Sequence, residues 1–113
     1  MSITTHVLDT SIGRPAHDVE IHLEHLDPRG TWRSVGRGRT DADGRLRTLV
    51  PAGSDPIAGS CRLTFEIGAY FRDRSLESFY PRVVVEFIVR EPGVHHHVPL
   101  LISPFAYSTY RGS

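Results

Sequence analysis

Positions of alternating polarity dominate the chain. Val19, Ile21 and Leu23 alternate with Glu20, His22 and Glu24, the period of two that gives a strand one apolar and one wet face. Pro28 and Gly30 within "LDPRGT" mark a tight turn, and Trp32 to Arg39 is predicted as the returning strand of a hairpin. "TDADGRLR" is a second reversal, rich in Asp and Gly, with Arg45 just beyond it. Leu63, Phe65 and Ile67 then alternate with Arg62, Thr64 and Glu66, and Val85, Phe87 and Val89 with Val84, Glu86 and Ile88. The second of these runs is apolar on both faces. That pattern fits a strand covered on two sides, by a core and by a second layer or another subunit, and it is a first pointer to oligomerisation.

"YFRDRSLESF" lacks alternation and is the one helix candidate, with room for one or two turns. Beyond it, Val98 to Ile102 and Tyr107 to Tyr110 are predicted as two strands separated by the Ser103-Pro104 break. With an opening strand from Ile3 to Leu8, the count reaches seven or eight short antiparallel strands at the spacing of a β-sandwich. The expected class is all-β. No internal repeat, linker or low-complexity stretch interrupts the pattern.

Composition narrows what such a sandwich does. A chain of 113 residues with 39% hydrophobic content suits one core, so residues 1–113 are expected to form a single domain. Thirteen basic residues balance thirteen acidic ones; no net field draws nucleic acid or an anionic membrane, and neither is expected as a partner. Every basic residue is Arg, which removes lysine Schiff-base chemistry and leaves His, Asp and Glu as proton acceptors near neutral pH. The single cysteine, Cys61, forbids an internal disulfide or a multi-cysteine metal site and fits a reducing compartment. The opening "MSITTHVLDT" has no signal-like apolar core, and no apolar run is long enough to span a bilayer, so a cytoplasmic protein is expected.

Seven histidines make proton transfer the best-supplied chemistry. Three are consecutive, but in a strand His95 and His97 share one face while His96 shares the other with Val98, Leu100 and Ile102. The triplet is therefore not one cluster. A zinc site on His95 and His97 needs a third ligand from elsewhere, and an uninterrupted triplet is not a recognised metal spacing. On periodicity alone, solvated polar residues at a strand entrance are the favoured reading. His6 shares a face with Thr4 and Leu8, and an imidazole among hydrophobes is commonly structural. Arg45 as a turn residue, and Arg111 and Ser113 at the end of the chain, have equally plain readings as solvated or frayed positions. Cys61 fits a small core residue, and no G-x-S-x-G element points to a serine hydrolase.

Four segments taken in order change that balance: "THVLDTSIGRPA" at 5–16, "TDADGR" at 40–45, "ESFYP" at 77–81 and "HHVPLLISPFAYSTYRGS" at 96–113. Together they resemble the transthyretin-related family, and within it the 5-hydroxyisourate hydrolases, over the whole chain. The terminal "YRGS" is the most discriminating piece, since the vertebrate hormone carriers of the family do not end on it. The resemblance implies a transthyretin-like sandwich with one short helix, assembled as a homotetramer, a dimer of dimers with its active sites at the dimer–dimer interface. It also implies His6, Arg45, His97 and Ser113 as catalytic residues, with Tyr110 and Arg111 joining His6 and Arg45 in binding substrate. One departure stands out: relatives commonly carry Tyr where this chain has His96, and because that side chain points away from His97, the change is expected to touch packing or an interface.

The implied reaction is hydrolysis of 5-hydroxyisourate to 2-oxo-4-hydroxy-4-carboxy-5-ureidoimidazoline in urate breakdown, with no metal or organic cofactor. His97 or His6 would deprotonate the attacking water, a step worth roughly 10²- to 10⁴-fold, and Arg45 would meet charge developing on the carbonyl oxygen. The competing expectation is a transthyretin-like carrier that binds a small aromatic ligand without turnover; an adhesion-type sandwich module is a third. A carrier channel calls for an apolar lining, whereas the motif positions here hold His and Arg.

Overall fold

The computed structural model describes residues 2–113. Nine strands and one helix follow in chain order: β1 (Ile3–Asp9), β2 (Arg14–Pro15), β3 (Glu20–Leu26), β4 (Trp32–Arg39), β5 (Arg45–Leu46), β6 (Gly59–Phe65), α1 (Ile67–Arg72), β7 (Val83–Val89), β8 (His96–Ser103) and β9 (Ala106–Thr109). Seven of these are strands of four residues or more, as the alternation predicts. The two-residue pieces β2 and β5 are short pairings along β1 that no pattern in the sequence marks.

The strands form two sheets. One runs β4-β3-β6-β7, wholly antiparallel. The other runs β2-β1-β8-β9, with β5 also paired to β1. Here the expectation of a purely antiparallel sandwich needs correction, because β1 and β8 pair in parallel, Ile3 opposite His96 through Asp9 opposite Ile102. Parallel neighbours require a long crossover, and the connection from β1 to β8 supplies it by passing through the whole second sheet.

The inner faces of both sheets meet in one core. Ile3, Thr5 and Val7 of β1, Val98, Leu100 and Ile102 of β8, and Leu63, Phe65 and Cys61 of β6 are all buried. Period-two placement therefore sends Thr4, His6 and His97 to the opposite, outer face of the β1–β8 sheet.

One expectation fails in detail. The helix lies at Ile67–Arg72, ahead of all but the first three residues of the predicted stretch. Ile67 belongs to it and not to the preceding strand, which stops at Phe65. Ile67 stays fully buried as a helical residue, so the apolar spacing continues although the backbone has changed direction. In β7, Val83 and Val89 face the core, while Val84 and Ile88 on the other side are 50% and 52% exposed; no second layer of this chain covers that face, which leaves another subunit as the cover the pattern allows.

The helix is tied back to the first strand by a buried polar contact. Tyr70 Oη donates to the Asp9 carboxylate at 2.8 Å, while Ser11 donates to the other carboxylate oxygen through its hydroxyl and its backbone N–H. Asp9, 1% exposed, is thus satisfied at the end of β1, as burial of a carboxylate demands.

Candidate active site

The reversal before β5 places Arg45. Asp41 accepts backbone N–H bonds from Asp43 at 2.9 Å and Arg45 at 3.0 Å, and these bonds, helped by the charges of Arg47 and Arg45, hold its carboxyl below the usual carboxylate range. Gly44 closes the turn with φ of +75°, and a Cβ there would lie 2.4 Å from the Val7 carbonyl oxygen. Only glycine combines that backbone with that approach. The Gly44 carbonyl then accepts the Val7 N–H at 2.7 Å, and Arg45 pairs with His6 across β1.

His6 Nε2 donates to the carbonyl of Asp43 at 2.8 Å. A carbonyl only accepts, so the proton is on Nε2, and the lone pair of neutral His6 is on Nδ1. Turn, arginine and imidazole are thereby locked to one another.

Parallel pairing of β1 with β8 sets Thr4 opposite His97. The Thr4 hydroxyl lies 2.8 Å from His97 Nδ1 and 3.3 Å from His95 Nε2, and the two rings are stacked, 6.2 Å apart and 16° from coplanar. His95 Nδ1 in turn meets the Ser2 hydroxyl. His97 Nε2 has no hydrogen-bond partner among the described residues. Burial, then the nearby charges of Arg45, His95 and His6, press the His97 imidazole below its ordinary pKa of 6.5, against a smaller opposing effect from Thr4. Its neutral form is favoured.

The carboxyl-terminal tail folds back over this ring. Gly112 N–H donates to the His97 carbonyl at 2.8 Å, forming an isolated antiparallel bridge. A Cβ on Gly112 would come within 2.5 Å of His97 Cδ2, so the chain crosses the imidazole only because this residue has no side chain. The end expected to fray on composition grounds is anchored instead.

Arg45, His97 and Ser113 line one cleft of about 190 Å³, together with Thr4, Arg47 and His95. His6 stands beside Arg45 and outside that lining. Tyr110 and Arg111 face a neighbouring cavity of about 260 Å³, mostly apolar, walled by Val85, Phe87 and Ile88 and sharing His97 with the first. Of the six residues expected at the site, three therefore meet in one cleft, two lie across His97 from it, and one backs it. His96 is buried against the core side, its Nδ1 donating to the Val94 carbonyl at 2.9 Å, as its opposite orientation requires. Among the described residues, no group of three or more His, Cys, Asp or Glu is gathered closely enough to hold a metal ion.

Sequence reasoning missed Thr4, Arg47 and the cleft-facing position of His95. The alternation does put His95 on the His97 face, a usable signal. Thr4 carries none, because its partners lie 91 and 93 residues away. Chemically the cleft offers an imidazole biased to its neutral form, two guanidinium groups and Ser113, a set suited to moving a proton while stabilising a developing oxyanion.

The HIUase/Transthyretin family model matches residues 3–112. A 5-hydroxyisourate hydrolase of Salmonella dublin is 41% identical over 111 residues, covering 98% of this chain and 80% of that protein. The solved structure of 5-hydroxyisourate hydrolase from Klebsiella pneumoniae superposes with a TM-score of 0.85 at 36% identity, covering all of both chains. Sea bream transthyretin, solved in complex with thyroxine, superposes with a TM-score of 0.89 at 30% identity, covering 97% of this chain and 93% of that one.

Proposed function

Since the chain belongs to the HIUase/Transthyretin family, we propose that it is a 5-hydroxyisourate hydrolase, opening the six-membered ring of that substrate at an amide bond in urate breakdown. The observation that carries this reading is the meeting of Arg45, His97 and Ser113 in one cleft, with His97 depressed toward its neutral form. A neutral imidazole with an unpartnered Nε2 accepts the proton of an attacking water. The Arg45 guanidinium faces the carbonyl oxygen as it gains charge, and in a partly desolvated cleft that interaction is worth more than it would be in water. His6, fixed by the Asp43 carbonyl, orients water or serves the leaving nitrogen, while Tyr110 and Arg111 grip the substrate from the neighbouring cavity. Nothing in this sequence of steps calls on a metal or cofactor.

The same reading takes the whole chain as one hydrolase domain and assembles it as a homotetramer, with the clefts at the dimer–dimer interface. Support comes from Val84 and Ile88, exposed on either side of Glu86 on the outer face of β7, and from Tyr110, which is 58% exposed. Each is a surface that a second copy would cover. The buried, unpaired Cys61 fits a reducing compartment, and we place the protein in the cytoplasm. No helix among the described residues is long and apolar enough to cross a membrane. A carrier without turnover is the weaker reading, because charged and titratable groups line the cleft.

The test is the ultraviolet decay of 5-hydroxyisourate generated from urate in the cuvette, followed with and without protein and with a chelator present. Acceleration that survives chelation is the expected result. A folded protein that leaves the spontaneous decay unchanged would overturn the hydrolase reading, and acceleration abolished by the chelator would overturn its metal-free mechanism.

A further inference from the structure

A hydroxyl group facing two imidazoles is not a passive spacer. Thr4 Oγ1 sits 2.8 Å from His97 Nδ1 and 3.3 Å from His95 Nε2, and His95 Nδ1 reaches the Ser2 hydroxyl. Thr4 is 8% exposed, so bulk water has little access to take its place. Four groups thus form one line from the cleft to the protein surface.

A hydroxyl carries one proton, so between two ring nitrogens it donates to one and accepts from the other. The two rings are therefore coupled. If His97 Nδ1–H donates to Thr4, then Thr4 O–H donates to His95 Nε2, the proton of His95 is on Nδ1 toward Ser2, and His97 Nε2 keeps its lone pair. If every bond in the line is reversed, His97 Nε2 carries a proton and accepts nothing.

We propose that Thr4 is a positioning residue that holds His97 in the Nδ1–H tautomer and relays its proton through His95 to Ser2 and solvent. This rests on the hydrolase reading. When His97 Nε2 takes a proton from the attacking water, its Nδ1 proton passes to Thr4 Oγ1, the Thr4 proton passes to His95 Nε2, and the His95 Nδ1 proton leaves by way of Ser2. After the product leaves, the His97 Nε2 proton passes to solvent in the emptied cleft and a proton returns along the line from Ser2 to His97 Nδ1, so that one proton is released per turnover and the line is reset.

The balance suits ring opening. Hydrolysis of a cyclic amide to a carboxylate and a urea-type nitrogen liberates one proton near neutral pH, because that nitrogen is not basic. One hydrogen of the water goes to the leaving nitrogen, and the other is the proton that the line carries out. It leaves along the wall of the cleft, which Thr4 and His95 line together with His97.

Two measurements test this. In protein labelled with ¹⁵N at histidine, the ring nitrogen shifts of His97 at a pH where it is neutral should report the Nδ1–H tautomer, and in Thr4→Val, which keeps the shape and removes the hydroxyl, they should move toward Nε2–H. In the 5-hydroxyisourate assay Thr4→Val should lower kcat by about tenfold or more, within the span of general base catalysis, with KM changed by less than about twofold. Thr4→Ser, which restores a hydroxyl, should recover most of the loss and return the tautomer. An Nε2–H tautomer in the parent protein overturns the proposal without any variant having to fold. So does a Thr4→Val variant with full kcat. A parent protein that holds His97 as Nδ1–H but leaves 5-hydroxyisourate untouched overturns the hydrolase reading instead, and with it the relay's catalytic purpose, while the control of the tautomer by Thr4 stands or falls on the spectra.

Discussion

His97 is the residue on which burial and charge act together. Burial disfavours its charged form, and the positive charge of Arg45, with the electrostatic influence of the His95 and His6 rings, pushes in the same direction. A histidine pKa lowered in the folded protein keeps the ring neutral to lower pH than a free imidazole. A base that must be neutral then stays competent further into acid, and kcat/KM should hold level through neutral pH and fall on the acid side with a midpoint below 6.5. A pH–rate profile of the free enzyme measures this directly; an acid limb centred at or above 6.5 would remove neutral His97 as the base. The His97 position was legible because it precedes "VPLL" in a stretch that resembles the hydrolases. Thr4 was not legible, since nothing in "SITTH" tells that a hydroxyl there meets a ring 93 residues further on.

At the level of elements, period-two alternation located the longer strands, because a half-buried sheet writes its two faces into the sequence one residue at a time. The helix escaped for the opposite reason. Six residues give less than two turns of 3.6-residue period, Glu66 at its start makes no side-chain cap, and its first apolar residue, Ile67, continues the alternation of β6. Local pattern also misleads at the carboxyl terminus, where "YRGS" suggests a loose end and the bridge between Gly112 and His97 makes it part of the β8 edge. Gly112→Ala should therefore act on the site while leaving the sandwich intact: its methyl group, 2.5 Å from His97 Cδ2, displaces either the tail or the ring. The expected outcome is a loss of kcat/KM of about tenfold or more, the scale on which misplaced catalytic groups are felt, with the thermal midpoint shifted by only a few degrees. Full activity in this variant would mean that the crossing of the tail over His97 has no part in catalysis.

For the whole molecule, the two cavities on either side of His97 pose a geometric problem that one chain does not solve. Arg45 and Ser113 open on one, Tyr110 and Arg111 on the other, and a substrate the size of a single purine-derived ring system cannot be enclosed by two open clefts. The outer face of β7 contributes Ile88 to the second cavity, and Val84 on the same face is half exposed. The sequence marked β7 as a strand apolar on both faces with a second layer or another subunit as its cover, and no second layer of this chain lies over Val84 and Ile88. If a second copy supplies that cover, oligomerisation and activity are linked through the same side chains. Ile88→Glu places a charge where the contact needs an apolar group, and burying it unpaired is costly. Light scattering should then report species smaller than the tetramer, and turnover per chain should fall as the tetramer is lost, while circular dichroism retains the β-sheet spectrum. Activity that rises again with protein concentration would follow from mass action on the assembly. A fully active monomer would instead detach the site from the interface and return it to one chain.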